Sequence, residues 1–460
     1  MKVTLKNRLD RYDRARTLAV LLLLLLTGVG SQAAHAQFRL PSLPGPELPS
    51  FDPPLGIDQR LERTWQRPGA ALKPPSPDLR KLKIRELVRR NRDRLEADVT
   101  GEPIVRSQVL AIAPGAALLA AARGAGFSVL RERTLAGLDI RITVLGAPEG
   151  MPTARALEHL RALDPAGVFD FNHIYMESGE LAQVHSAAQP GVGDAPTVVD
   201  HLPPSVAANA GAAGRIGLID GGVDGSVPVF RGTHIQSWGC DGRSPASPHG
   251  TAVASLMVGE GDGFHAAASG LALYAADVYC GAATGGAIDR IAEALAWLAD
   301  EHVAVVNISL VGPPNRLLEQ LVARMLARGH VIVAAVGNDG PAAPPLYPAA
   351  YPGVLGVTGV DARRRVLPEA GRGSQVVFAA PGADMLAAGP NGYTAVRGTS
   401  FAAPIVAGLL AVSLAEPAPA AAREAIARLT GAAIDLGAPG PDPVFGNGLV
   451  GEQLRVDPKR

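Results

Sequence analysis

The sequence predicts an α/β fold in layers, with a mostly parallel central sheet flanked by helices, preceded by a small α+β domain. Two observations carry this. From residue 213 on, apolar runs at 216–219, 273–278, 303–308, 331–336, 354–357 and 375–378 alternate with helical patterns at 250–258, 285–300, 315–328, 400–416 and 420–429. The runs are continuously apolar rather than alternating, as strands covered on both faces must be. Residues 109–175 carry a different, shorter arrangement of strand, helix, two strands about a glycine, helix and strand.

The chain of 460 residues has 43 basic and 43 acidic side chains. It is long enough for two or more domains, and its balanced charge gives no reason to expect nucleic acid as a partner. Residues 1–36 read as a secretory signal. Arg11, Arg14 and Arg16 precede a leucine-rich run at 18–26, and Ala34-His35-Ala36 offers a small-x-small cleavage site before Gln37. The competing reading is a permanent anchor. The run is short for a span, and no later stretch is long and apolar enough, so no stable transmembrane anchor is expected. Export to the periplasm or the extracellular space follows, and composition does not separate the two.

Residues 37–80 are rich in proline, including Pro41, Pro44, Pro46, Pro74, Pro75 and Pro77, and read as an extended, disordered arm. Residues 81–104 change to a basic amphipathic helix and connector, with Leu87, Val88 and Leu95 among Arg85, Arg89, Arg90, Arg92 and Arg94. That basic face is either solvated or suited to anionic lipid.

Residues 105–178 hold the small domain. Strand-like 109–112 is followed by an alanine-rich helix at 116–123, which Gly124 and Gly126 end. Two strands flank Gly137, a helix at 153–163 is capped by Thr153 and stopped by Asp164-Pro165, and 168–175 returns as a strand. The order β-α-β-β-α-β is ferredoxin-like. Residues 179–212 show no sustained period and read as a linker containing a maturation site. The larger domain occupies 213–460.

The chemistry is concentrated in four segments of that domain. Asp220 follows the apolar run 215–219. His249 opens His249-Gly250-Thr251-Ala252, and Asn338 follows Val336-Gly337. Ser400 lies in Gly398-Thr399-Ser400-Phe401-Ala402-Ala403-Pro404, between small residues at a helix start. A serine hydroxyl is too weakly acidic to attack a carbonyl unaided, so it needs a base such as His249. The base needs a carboxylate, Asp220, to fix its tautomer and steady the imidazolium. Asn338 and the Ser400 backbone N–H would hold the oxyanion. Each segment alone has an ordinary explanation: a helix cap, an Asn-Asp-Gly turn, an aspartate that binds a ribose.

Together, in the order Asp, His, Asn, Ser, these segments resemble the subtilisin-like serine proteases, the subtilases; α/β-hydrolases run Ser, Asp, His, and chymotrypsin-like enzymes His, Asp, Ser. The resemblance covers about 213–452 and implies a subtilisin-like layered fold. It further implies that Ser309, Leu310, Val311 and Gly312 pair with and border an extended polypeptide substrate, with Ala335, Val336 and Gly337 as the opposite wall. Asp339 would stand near the far end of that pocket, where it could favour a basic side chain. The small domain resembles the inhibitory propeptide of subtilases in element order and position. It would then act as an intramolecular inhibitor whose C-terminal end lies along the active site and is cut there, between about 176 and 208. The competing reading is a separate binding domain.

Three departures from the family pattern stand out. Gly221-Gly222 follows Asp220 where Ser or Thr usually precedes the glycine, which removes a potential hydroxyl partner of the aspartate. Val311 stands where glycine is common and should narrow a nearby subsite. Phe401 replaces the commonest methionine, with little effect expected.

Cys240 and Cys280 are the only cysteines. They make either one disulfide in an oxidising compartment or two separate small hydrophobes. Zinc-type spacing is absent, and the other histidines show no HExxH pattern. His234 is the one close enough in sequence to Asp220 and His249 to reach the cleft. No metal ligand set is expected and no cofactor is required for the chemistry; structural calcium, frequent in the family, has no acidic loop to mark it.

The expected function is an exported serine endopeptidase working through an acyl-enzyme on Ser400 and made as a self-inhibited precursor. Val311 and the long arm motivate a narrower alternative, a processing protease for one partner. A non-catalytic secreted binding protein with a protease fold is a further alternative, opposed by the intact set of four. An esterase or lipase fits the nucleophile but not the order or the absent GxSxG elbow.

Overall fold

The computed structural model describes residues 77–178, 180–181, 214–261, 263–389 and 392–456. The signal peptide, most of the proline-rich arm and nearly all of the linker lie outside the described residues.

In chain order the elements are α1 (Pro77–Arg90), β1 (Leu95–Ala97), β2 (Pro103–Ile112), α2 (Ala116–Gly124), β3 (Ser128–Leu135), β4 (Ile140–Gly146), α3 (Thr153–Leu163), β5 (Val168–Glu177) and β6 (Glu180–Leu181). After the linker come β7 (Arg215–Asp220), β8 (Ile235–Trp238), α4 (Pro248–Val258), β9 (Glu260–Gly261), β10 (Phe264–His265), β11 (Ala272–Asp277), β12 (Gly286–Ala287), α5 (Ile288–Asp300), β13 (Val305–Ile308) and β14 (Leu310–Val311). The chain continues through α6 (Arg316–Ala327), β15 (Val331–Ala335), β16 (Leu355–Val360), β17 (Val376–Pro381), β18 (Met385–Gly389), β19 (Gly392–Arg397), α7 (Thr399–Ala411) and α8 (Pro419–Ala432).

The central sheet runs β17-β16-β15-β13-β7-β11-β8, and every pairing in it is parallel. β7, β13 and β15 are buried along almost their whole length, which explains their unbroken apolar sequence. α7 is the central buried helix. It packs on β15, β16 and β13, and against α4. Its residues Phe401, Ala402, Ala403, Ile405 and Val406 are almost fully buried, which is why it is apolar on all sides.

The small domain is an antiparallel sheet in the order β5-β2-β4-β3. One face carries α2 and α3 over its own core of Val109, Leu118, Phe127, Leu157, Leu160 and Phe169. The other face sits on α5 and α6. Leu110, Ile140, Ile142 and Val144 there share one hydrophobic cluster with Ile291, Leu295 and Leu321. Polar ties complete the seam. Arg131 pairs with Asp289 at 2.5 Å, Asn172 Nδ2 donates to Asp289 Oδ1 (3.1 Å), and the Arg316 N–H donates to Asp170 (2.7 Å).

Three local readings need correction. The helix assigned to 81–104 begins at Pro77, and its connector holds β1, antiparallel to β2. Thr153 is the first residue of α3 rather than its cap; its buried hydroxyl accepts the Ser107 N–H (2.8 Å), a tertiary demand that local pattern cannot show. The helix expected from 285 begins at Ile288, because Gly286 and Ala287 pair with β5 as a strand. The hairpin of β18 and β19 was not anticipated at all.

Candidate active site

Two helix starts, one strand end and the segment following another strand bring the predicted residues together. β7 ends in Asp220, which is fully buried. α4 begins with Ser247 as its cap, accepting the Gly250 N–H, and with Pro248 in its first turn, so that His249 faces back toward β7. His249 Nδ1 lies 2.9 and 3.1 Å from the two Asp220 carboxylate oxygens. A bond that short, with an acceptor-only partner, places a proton on Nδ1 and leaves Nε2 free as a base. Nε2 is buried without a hydrogen-bond partner. Burial opposes charging of His249, but the field and hydrogen bond of Asp220, reinforced by Glu177, outweigh it and hold its pKa above the ordinary imidazole value.

The position after Asp220 explains one departure. The Gly221 N–H donates to Asp220 Oδ1 (2.7 Å), a backbone bond that replaces the missing hydroxyl. A Cβ at this position would stand 2.6 Å from Ser247 Cβ and 2.8 Å from its Oγ. A side chain at 221 therefore collides with the cap of the helix that presents His249. Gly221→Ser should cost about 1–3 kcal/mol of stability, readable in denaturant unfolding of the Ser400→Ala background.

Ser400 is the second residue of α7, and its side chain is fully buried. Pro404, four residues on, has no N–H, so the Ser400 carbonyl loses its usual helical partner. Ser309 Oγ fills the gap and donates to Ser400 O (3.0 Å), while Asn307 Nδ2 donates to Ser309 Oγ (2.9 Å). Ser309 thus supports the backbone of the candidate nucleophile. Ser400 Oγ donates to the Ser309 carbonyl (3.2 Å), so this rotamer leaves His249 Nε2 unpaired.

Asn338 is fixed by its Oδ1, which accepts the Thr399 N–H (3.1 Å). Thr399 Oγ1 accepts the Gly337 N–H (3.2 Å), joining the start of α7 to the segment after β15. The Asn338 amide and the Ser400 N–H converge on one atom, the carbonyl oxygen of Ser178. Ser400 N donates to it at 3.2 Å, and Asn338 Nδ2 donates to it in a short bond.

That oxygen belongs to the chain's own tail. β5 runs out of the small domain between β12 and β14 and pairs antiparallel with both, with Tyr175 opposite Gly286, Met176 opposite Val311 and Glu177 opposite Leu310. β6, just beyond, pairs with β19. The tail thus enters and leaves the cleft as an added strand on each side. Tyr175 is fully buried, its hydroxyl donates to the Pro313 carbonyl, and its ring lies over Gly312, where a Cβ would come within 2.7 Å of it. Val311 is buried, opposite Met176 in the antiparallel pairing.

The remaining expected residues fall as follows. Leu310 and Val311 form the pairing edge, Gly312 borders Tyr175, and Ala335, Val336 and Gly337 lie buried at the end of β15, before Asn338. Asp339 is faced by Arg80 of α1, with Nε 3.6 Å from Oδ2. His234 is exposed, and its backbone carbonyl accepts the Leu273 N–H (2.9 Å). Phe401 stacks obliquely near His249, with ring centroids 5.4 Å apart. Cys240 and Cys280 are disulfide-bonded, with a Cα separation of 5.2 Å, and tie the segment leading to α4 to the segment leading to β12.

Among the described residues two groups of three ligating side chains converge: Cys240, Asp277 and Cys280, and Glu177, Asp220 and His249. The first contains the disulfide sulfurs and the second the candidate base. Neither is the all-oxygen set that calcium requires.

The subtilase family model matches residues 211–448. The chain belongs to the subtilase family. It is 31% identical over 253 residues to subtilisin DY of Bacillus licheniformis, covering 52% of this chain and 89% of that protein. It is also 31% identical over 212 residues to a subtilisin of Bacillus pumilus, covering 44% of this chain and 77% of the relative. Among solved structures it is similar in fold to fervidolysin of Fervidobacterium pennivorans, a keratinolytic enzyme related to subtilisin. The TM-score is 0.62 at 21% identity, over 78% of this chain and 62% of fervidolysin. This subtilase is a serine endopeptidase with an α/β subtilisin-like fold.

Proposed function

We propose that this subtilase is made as a self-inhibited precursor that cuts its own Ser178–Gly179 bond, and that it is an exported endopeptidase of extended polypeptide. The observation that carries the reading is the Ser178 carbonyl, bonded by Ser400 N–H and the Asn338 amide as a scissile carbonyl would be. Ser400 Oγ attacks the Ser178 carbonyl carbon while His249 Nε2 takes its proton. The oxygen, now negative, stays between its two donors. The bond to Gly179 breaks as His249 returns the proton to the leaving amine, and water then hydrolyses the acyl ester by the same route in reverse. Asp220 holds the imidazole through Nδ1.

Inhibition follows from the same contacts. Tyr175 to Ser178 fill the cleft that a substrate must enter, and the small domain anchors them through its seam with α5 and α6. Export is supported by the leader pattern of residues 1–36 and by a disulfide suited to an oxidising compartment. Among the described residues no helix is long and apolar enough to cross a membrane.

The test is reaction of the processed protein with a fluorophosphonate, followed by peptide mapping. One adduct on Ser400 is the expected result, and folded, processed protein that takes none would sink the proposal. Asn338→Ala should slow self-cleavage by about 10²–10³-fold, because one of two oxyanion donors is lost; a time course of precursor disappearance measures it.

A further inference from the structure

The residue before Ser178 is an acid placed against the candidate base. One carboxylate oxygen of Glu177, one of Asp220 and a ring nitrogen of His249 all lie within 4.8 Å of one another. Glu177 comes from β5, Asp220 from the end of β7 and His249 from α4. The other titratable groups facing this cluster are Tyr279 and Asp277, beyond the end of β11 and at its last residue. The Tyr279 hydroxyl is buried, which pushes its pKa well above the ordinary value, so it brings no charge. Asp277 is occupied by the N–H groups of Tyr279 and Cys280, both 2.9 Å from Oδ1, and by Ser244 Oγ at 2.8 Å from Oδ2. Among the described residues no cation besides His249 itself enters the group.

We propose that Glu177 is a pH-dependent brake on self-cleavage: its carboxylate favours the imidazolium form of His249, so the tail is cut only in a more alkaline medium than a peptide lacking that acid. The inference rests on the reading that Ser400 cuts after Ser178. A base must be neutral to take the serine proton, and a second carboxylate beside His249 keeps it protonated to higher pH. The direction agrees with the raised pKa of His249, to which Glu177 contributes after Asp220. Glu177 in turn is pushed up by burial, relieved by His249 and pushed further by Asp220, the mutual dependence of two groups that share a proton balance. Glu177 keeps an exposed side, so solvent screens part of the effect. The brake leaves with the tail. The same rule extends to substrates, since any peptide with Glu one residue before the cleaved one reproduces it.

The experiment compares the acid limb of self-cleavage in the full precursor and in its Glu177→Gln variant, with Ser400→Ala as control. In parallel, the mature enzyme is given two peptides that differ only in Glu or Gln at that position, within Tyr-Met-Glu-Ser-Gly and Tyr-Met-Gln-Ser-Gly. The expected result is a midpoint lower by about half a unit or more for the Gln precursor, and the same displacement between the peptides. Coincident midpoints in both comparisons overturn the brake while leaving the protease reading intact. Cleavage that persists in Ser400→Ala overturns the reading beneath it. Should the Gln precursor misfold, the peptide pair decides alone.

Discussion

Ser400→Ala is expected to leave the precursor uncut and to lower peptide hydrolysis by about 10⁶-fold, the loss typical when the nucleophile of such a triad is removed. The side chain is fully buried and bonds only to the Ser309 carbonyl, so its loss removes one weak hydrogen bond and leaves the packing of α7 intact. The backbone donor survives, since the Ser400 N–H belongs to the main chain, and so does the anchor from Ser309 Oγ to the residue 400 carbonyl. The variant should therefore fold and hold its tail in the cleft. Stopped assays of precursor over days, alongside a folded-state spectrum, check this.

Asp220→Asn should lower kcat by about 10⁴-fold with the fold retained. Asp220 is wholly buried, and both its oxygens face His249 Nδ1. An amide of the same shape can keep the Gly221 N–H bond through its oxygen, but it then presents NH₂ to the imidazole. That donor forces Nδ1 to accept, moves the proton to Nε2 and removes the base from the nucleophile's side. It also removes the negative charge that stabilises the imidazolium. The field of Asp220 helps to hold the pKa of His249 up, so the residual activity of the variant should have its acid limb at lower pH. Single-turnover measurement across pH checks both statements.

The four candidate residues were legible because each is marked twice in the sequence, by chemical type and by a local backbone context. Asp220 ends an apolar strand, Asn338 follows another, and His249 and Ser400 stand at helix starts, so secondary structure alone nearly places them. The parallel sheet was legible for a similar reason: strands buried on both faces have no polar residue to obscure them. What the sequence hid are contacts that depend on a distant partner. β12 and β14 have two residues each and exist as strands only because β5 lies between them. Ser178 and Glu177 carry no motif, and their importance comes from where the tail ends.

The family likeness implies that Ser309 is a pocket residue, and the structure gives its hydroxyl a further task, support of the Ser400 carbonyl. One local signal did exist: a proline four residues after the serine orphans that carbonyl, and something must donate to it. Gly221, which looked like a lost hydroxyl, is required by the close approach of Ser247. Deciding between these two needs the neighbour's position, which no pattern within one segment carries.

The most direct test of self-cleavage is the identity of the first bond cut. Purified precursor, incubated alone, should yield by intact mass and N-terminal sequencing a catalytic fragment that begins at Gly179, and Ser400→Ala precursor under the same conditions should yield none. A first cut elsewhere in the linker, or an equal yield of the Gly179 fragment without the serine hydroxyl, would contradict the account.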